Sequence, residues 1–179
     1  MDKSFNLKVK TDEKSLTNTS GKFLIQPLDR GYGITLGNAM RRVLLTSIPG
    51  AAVTHVKIEG VDHEFSTIKG IKDDVADIIM NLKKVRFKLM DNNPDKVNLS
   101  LKGKRIVTAQ DIQSASDQFE ILNPDQYITE VNTSGKIEME LRIGIGKGYV
   151  PSEENELPNL TVGTLSIDSI FNPVTNVSY

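Results

Sequence analysis

GYGITLGNAMRRVLLTSIPG, residues 31–50, writes an amphipathic helix closed by Pro-Gly, and the chain changes character after it. Leu36, Ala39, Met40, Val43, Leu44 and Ile48 recur at helical spacing and make one broad apolar stripe. A step of about 100° per residue puts Leu45 nearly opposite Leu36, on the side that carries Asn38, Arg41 and Arg42. A leucine flanked by two arginines is a candidate contact surface, although single exposed leucines and solvated arginine pairs are ordinary. Thr35 is the candidate cap at the start, and Pro49-Gly50 is strong punctuation at the end.

Working outward, FNLKVK (Phe5–Lys10) alternates apolar and polar, and KFLIQPL (Lys22–Leu28) is a second extended run, so two strands precede the helix. Ala51–Glu59 reads as a strand. Gly70–Lys84 predicts a second helix, with Ile71, Val75, Ile78, Ile79 and Leu82 on one stripe. Its early Asp73, Asp74 and Asp77 and its closing Lys83 and Lys84 suit the helix dipole at both ends. Short β-like runs follow at Val85–Met90, Val97–Leu101, Phe119–Leu122 and Tyr127–Val131. The cleanest strand is Lys136–Ile145, where Ile137, Met139, Leu141, Ile143 and Ile145 alternate with polar residues or glycine. Gly146–Asn159 reads as a loop, Thr161–Phe171 as extended, and Asn176–Tyr179 as a final strand.

Many strands with two unevenly spread helices predict an α+β fold and argue against a doubly wound parallel sheet. The change after Gly50 predicts two units: residues 1–50, with the first strands and helix, and a β-rich unit over 51–168. Residues 169–179 then start a return toward the first unit.

At 179 residues, 38% hydrophobic and 25% charged, the chain is long enough for one substantial core or two small ones. It has no cysteine, which excludes disulfides and thiolate chemistry. The N-terminus lacks a leader pattern, no stretch has the ~20 apolar residues of a membrane span, and the expected compartment is the cytoplasm. With 22 basic and 23 acidic residues, the chain has no global pull toward nucleic acid, and few rings are available for stacking. A protein partner is the better expectation.

No catalytic constellation emerges. Gly31, Gly33 and Gly37 miss the G-x-G-x-x-G spacing by one residue, and no P-loop lysine follows. Gly144, Gly146 and Gly148 lead into Tyr149-Val150-Pro151, where a helix does not readily begin. His55 and His63 have neither a nucleophile elbow nor helical metal-ligand spacing, and Asp62-His63-Glu64 are neighbours that a strand would point apart. Asp73, Asp74 and Asp77 are explained by the dipole without a metal. Glu153, Glu154 and Glu156 read as a solvated acidic surface. No metal or cofactor is expected.

TLGNAMRRVLLTSIPGAAVTHVKIEGVDHEFSTIKGIKDDVADIIMNLK (35–83) closely resembles the N-terminal region of bacterial RNA polymerase alpha subunits. VTAQDI, EILNPDQYI, KIEMELRIGIGKGYVPSEEN and IDSIFNPVTNVSY resemble later blocks of that family in the same order. The resemblance implies a dimerisation subdomain interrupted by a β-rich insertion. It also implies a non-catalytic scaffold of DNA-directed RNA polymerase that dimerises and docks the beta and beta-prime subunits, so that the chain serves a nucleotidyltransferase only as a subunit. No nucleic-acid site is implied in this chain. The family's beta-contacting arginine and leucine match Arg42 and Leu45, with Arg41 beside them. Leu36, Ala39, Met40, Val43 and Leu44 would divide between the subdomain core and the partner alpha helix. Lys83, Ile167 and Asp168 match positions used toward beta-prime, and Glu153–Glu156 a region where some members meet transcription activators. By the same resemblance the chain stops before the strand and long helix that complete the dimerisation subdomain. Two rival readings stay open: a nucleotide-dependent enzyme using Gly31–Gly37, and a stand-alone β-rich interaction module.

Overall fold

The computed structural model describes residues 7–89, 96–155 and 160–179, so Phe5, Asn6, Met90 and residues 156–159, with Glu156 and the end of the expected loop at Asn159, lie outside the described residues. The chain divides into two compact units, residues 1–43 with 177–179, and residues 44–176.

In the first unit β1 (Lys8–Thr11) and β2 (Phe23–Gln26) form an antiparallel ribbon, Lys8 opposite Gln26 and Thr11 opposite Phe23. Their connection is tied by Asp12 N donating to Lys22 O at 2.9 Å and Thr17 N to Ser20 O at 2.7 Å. The helix α1 (Tyr32–Thr46) begins before Thr35. Gly31 takes a φ of 91°, and Tyr32 N donates to Asp29 O at 3.1 Å, which turns the chain directly into the helix. Thr35 therefore sits inside the first turn rather than capping it. The strand expected over Asn176–Tyr179 finds no ladder partner among the described residues, and Val177 O accepts from the Arg41 guanidinium instead.

The second unit is built on β3 (Pro49–Ile58), whose burial is continuous from Ala51 to Val56, as expected of a strand covered on both faces. After it, α2 (Val75–Leu82) buries Val75, Ile78, Ile79 and Leu82. This helix is shorter than its periodicity predicts. Ile71 is held in a β-bridge with Val131, Lys72 N donates to Glu130 O, and Asp74 caps the helix by accepting from Asp77 N at 2.8 Å. Asp73 thus serves no dipole; it accepts from Tyr127 Oη at 2.5 Å and Thr129 Oγ1 at 2.9 Å. Burial opposes ionisation there, yet these hydroxyls hold the Asp73 carboxyl below the usual carboxylate range.

The next elements are β4 (Phe87–Leu89), β5 (Lys96–Lys102), β6 (Arg105–Thr108), α3 (Ala109–Gln113), β7 (Phe119–Ile121), β8 (Tyr127–Val131) and β9 (Lys136–Lys147). The chain closes with β10 (Tyr149–Val150), a 3-10 turn at Ser152–Asn155, β11 (Thr164–Ser166) and β12 (Ser169–Ile170). Six strands make the main sheet in the order β5-β9-β3-β4-β7, with β11 also on β3; β6 with β8, and β10 with β12, form separate ribbons. The fold is α+β. The expected loop at 146–159 is partly structured, since β9 runs through Lys147 and β10 and the 3-10 turn follow. The extended run at 161–171 splits into two short strands. The sequence reading missed β6 and α3, although Thr108 N donating to Asp111 Oδ2 at 2.9 Å follows from a T-x-x-D start signal.

β9 follows its alternation as far as Ile143: Ile137, Met139, Leu141 and Ile143 enter the core, with Met139, Leu141 and Ile143 opposite Ile58, Val56 and Val53 across the ladder, whereas Ile145, expected on the same face, is 43% exposed. The ladder slips between Val53 and His55, so Thr54 is an extra residue on β3. Ala51 and Val53 before it and Val56 and Ile58 after it all join the core cluster, whereas Thr54 and His55 do not. His55 is nevertheless buried, its Nδ1 2.9 Å from Thr54 Oγ1. Burial, reinforced by the Arg142 guanidinium, holds its imidazole below the ordinary value of 6.5.

Two outcomes follow. Leu141 is fully buried at the centre of the ladder, so Leu141→Ala should lower unfolding free energy by about 2–5 kcal/mol in urea titrations. The unfolded chain takes up a proton that folded His55 resists, so stability from this site is complete above pH 6.5 and is lost as pH falls below it. His55→Gln should flatten the pH dependence of the unfolding free energy below pH 6.5; an unchanged slope would assign that dependence elsewhere.

Candidate functional site

Two surfaces carry the residues that the sequence singles out. The first is α1, an amphipathic helix of which no residue is buried. On its stripe Leu36 and Leu44 are half-buried, while Ala39, Met40 and Val43 are exposed, Met40 at 41% and Val43 at 53%. On the other side Arg41 and Arg42 are exposed and Leu45 is half-buried, so Leu45 is less open than the helical wheel suggests. Arg41 is partly committed within its own unit, donating to Val177 O. The spacing of Arg42 and Leu45, three residues apart on a continuous helix, places them on neighbouring positions of one face.

The three glycines do not form a loop ahead of the helix that could cradle a phosphate, because only Gly31 precedes α1 and Gly33 and Gly37 lie within it. Gly37 lies in the middle of the helix, and a Cβ there would come within 2.2 Å of the Tyr179 ring, so its role is close approach of an aromatic side chain. Gly146 has the same explanation: it lies within β9, where a Cβ would meet the Phe171 ring at 2.5 Å.

The second surface lies at the end of α2. Lys83 forms the C-cap, and its Nζ donates to Asp168 Oδ2 at 2.8 Å, across 85 positions of sequence. That bond is the main reason why the Asp168 carboxyl sits below the usual range. Ile167 is different. It is 2% exposed, belongs to the core cluster and donates its N–H to Thr54 O at 2.9 Å, so it offers no surface to a partner. Its neighbours are fixed from behind: Asn155 Nδ2 donates to Ile167 O at 2.8 Å and to Ser169 Oγ at 3.0 Å, and Ser169 Oγ donates to Val53 O at 2.8 Å. The sequence reading missed Asn155 and Tyr149 here, because both take their place through partners distant in sequence, Ile167 and Ser169 for Asn155 and Ile170 for Tyr149.

The remaining polar groups that the sequence singles out lie apart from one another or at the surface among the described residues. His63 Nδ1 pairs with Ser66 Oγ at 3.2 Å in an exposed turn, beside an open cavity lined by Asp62, Glu64, Phe65 and Leu165. Glu153 and Glu154 lie on the 3-10 turn. Among the described residues no group of three His, Cys, Asp or Glu could hold a metal ion, and no helix is long and apolar enough to cross a membrane.

Residues 56–172 match the family described as the RNA polymerase Rpb3/RpoA insert domain. The DNA-directed RNA polymerase subunit alpha of Alkaliphilus oremlandii is 53% identical over 172 residues, covering 96% of this chain and 54% of that protein. The corresponding subunit of Chloroherpeton thalassium is 48% identical over 172 residues, covering 96% and 52%. That of Salinibacter ruber is 48% identical over 166 residues, covering 93% and 51%. The chain thus spans about half the length of the relatives it matches. A family match over most of the second unit, with identity that continues through α1 and the first strands, means that this chain belongs to the RNA polymerase Rpb3/RpoA insert-domain family as the N-terminal and insert region of a bacterial RNA polymerase alpha subunit.

Proposed function

We propose that this chain is a non-catalytic assembly scaffold of DNA-directed RNA polymerase in the bacterial cytoplasm, which pairs with a second alpha subunit and docks the beta and beta-prime subunits. The observation that carries this reading is α1. A helix of fifteen residues has little stability alone in water, and this one buries none of its residues while presenting Met40 and Val43 on one side and Arg41 and Arg42 on the other. The proposed contacts account for that surface: the Leu36, Ala39, Met40, Val43 and Leu44 stripe divides between the subdomain core and a second alpha subunit, and beta docks around Arg42 and Leu45. A guanidinium can grip a carboxylate through two parallel hydrogen bonds, and Leu45 adds apolar area beside it. Lys83 and Asp168 are the corresponding candidates toward beta-prime, and the acidic turn at Glu153 and Glu154 is the candidate surface for transcription activators. The domain limits that go with this reading are residues 1–50 and 169–179 for the dimerisation subdomain and 51–168 for the insertion.

Arg42→Ala and Leu45→Ala, combined in the full-length subunit, should weaken capture of beta at least tenfold in a pull-down. Loss of the leucine alone should account for about 1–2 kcal/mol or more, as at the centre of an interface. Undiminished capture by the double variant would remove this surface from the assignment.

A further inference from the structure

Three turns of the second unit meet at a hub of glycines. Gly135 packs directly on Gly70: a Cβ on Gly135 would come within 2.2 Å of Gly70 O, and one on Gly70 within 2.6 Å of Gly135 Cα. Asn132 N donates to Gly70 O at 2.8 Å, and Gly103 N donates to Gly135 O at 3.1 Å, so the turns are tied backbone to backbone. The residues beside these glycines are basic. Lys69 precedes Gly70, Lys102 and Lys104 flank Gly103, and Lys136 follows Gly135, all four exposed. Lys102 stands directly opposite Lys136 across the β5–β9 ladder, a like-charge pairing that costs stability. Carboxylates answer only part of this charge. Lys136 pairs with Glu138 and, at 3.6 Å, with Glu59, while Lys72 pairs with Glu130 at 3.1 Å and Arg105 with Asp111. Among the described residues no carboxylate lies within ion-pair distance of Lys69, Lys102 or Lys104.

We infer that Lys69, Lys102 and Lys104, gathered by the glycine hub, form a contact site for the phosphate backbone of duplex DNA. This inference rests on the reading of the chain as a polymerase subunit, which puts it to work beside DNA. Charge is the first argument. A net charge of -1 gives the whole chain no pull toward nucleic acid, but three ammonium groups gathered without counter-charge make a local one. The neighbouring side chains select the occupant. Single strands are held by bases stacked on aromatic rings, and residues 68–72, 101–106 and 131–137 include no Phe, Tyr or Trp. An acidic protein segment is best gripped by an arginine fork, and the one arginine in these turns, Arg105, is already engaged by Asp111. Lysine is a point charge that needs no fixed orientation, which suits a duplex backbone carrying one charge per about 1.7 Å of axis. Thr133 and Ser134, exposed in the turn before Gly135, add hydroxyl donors of the kind that bind phosphate oxygens. Such a site reads no bases, and three phosphate contacts bind weakly alone. They count where a polymerase already holds the duplex nearby, because a tethered ligand acts at an effective concentration in the millimolar range.

The test is a DNA-binding titration with polymerase assembled from the full-length alpha subunit, run on long promoter duplexes between about 50 and 200 mM salt. Lys69→Gln, Lys102→Gln and Lys104→Gln combined should weaken binding tenfold or more at the lower salt and flatten the slope of log affinity against log salt by about 2.7. Recovery of beta and beta-prime and the thermal midpoint should stay parental, since the hub glycines are untouched. Lys69→Arg, Lys102→Arg and Lys104→Arg combined keep the charge and should keep the slope. A photo-crosslinker in place of Lys104 should label duplex DNA, with unlabelled duplex competing better than single strand. An unchanged slope in the glutamine variant, or labelling that goes to protein or is competed better by single strands, overturns the DNA contact and leaves the scaffold reading standing. If the parental full-length subunit recovers neither beta nor beta-prime, the scaffold reading fails and the DNA site falls with it.

Discussion

The structure depends on the pairing of β3 with β9, and on the one residue by which that pairing fails to be regular. From Pro49 opposite Lys147 to Ile58 opposite Met139, the two longest strands run antiparallel at the centre of the main sheet. Alternation alone would have carried either Val53 or Val56 out of the core, because three positions separate them. The extra residue, Thr54, restores the phase, so that Ala51, Val53, Val56 and Ile58 all enter the same apolar cluster.

The bulge also organises the surface. An extra residue leaves its carbonyl outside the regular ladder, and Thr54 O accepts from Ile167 N. Val53 O accepts from Ser169 Oγ. These two bonds fix the chain from 167 to 169 against β3, with Ile167 and Ser169 inward, and the residue between them is left pointing toward Lys83. The orientation of Asp168 is therefore a consequence of strand register, and so is the outward face of β12. On the same side of β3, Asn155 ties the 3-10 turn to the same two residues. A packed sheet thus delivers an ion pair and an exposed ribbon to one place without any long side chain having to search for it.

What could be read from the sequence divides along the same physical line. The alternation of Ile137, Met139, Leu141 and Ile143 and the stripe of Val75, Ile78, Ile79 and Leu82 are local patterns, and both elements form on them, although the helix starts five residues later than its pattern and leaves Ile71 in a β-bridge. Asp73 looked like part of the helix because its composition suits a first turn; its actual partners, Tyr127 and Thr129, are more than fifty positions away. Tyr149-Val150 reads as loop since two residues carry no periodicity, and they become a strand only by pairing with Ser169 and Ile170. The phase shift at Thr54 was present in the spacing of the apolar residues, but the run AAVTHVKIE is apolar enough to look like an unbroken strand. In the candidate sites, the α1 residues were legible as a helical face, whereas the link between Lys83 and Asp168 had no local signature. Ile167 illustrates the limit of motif matching: the match marks a position, and only packing tells whether its side chain faces a partner or the core.

The two units differ in what can hold them together. Residues 44–176 contain the whole apolar cluster, and its fully buried isoleucines, leucines and valines are sufficient reason for that unit to fold. The other unit has no buried residue among those described. Its two-stranded ribbon exposes Val9, Phe23 and Leu24 at more than half of their surface, and α1 exposes Ile34 at 74%. An isolated hairpin and a short helix are each marginal in water, so such a unit gains its stability from surface supplied by something else. The insert region carries its own core, whereas the described residues of the helix-bearing unit bury none of their side chains. On the proposed reading, order in α1 and association through α1 become one equilibrium, in which each partner that covers the helix also stabilises it.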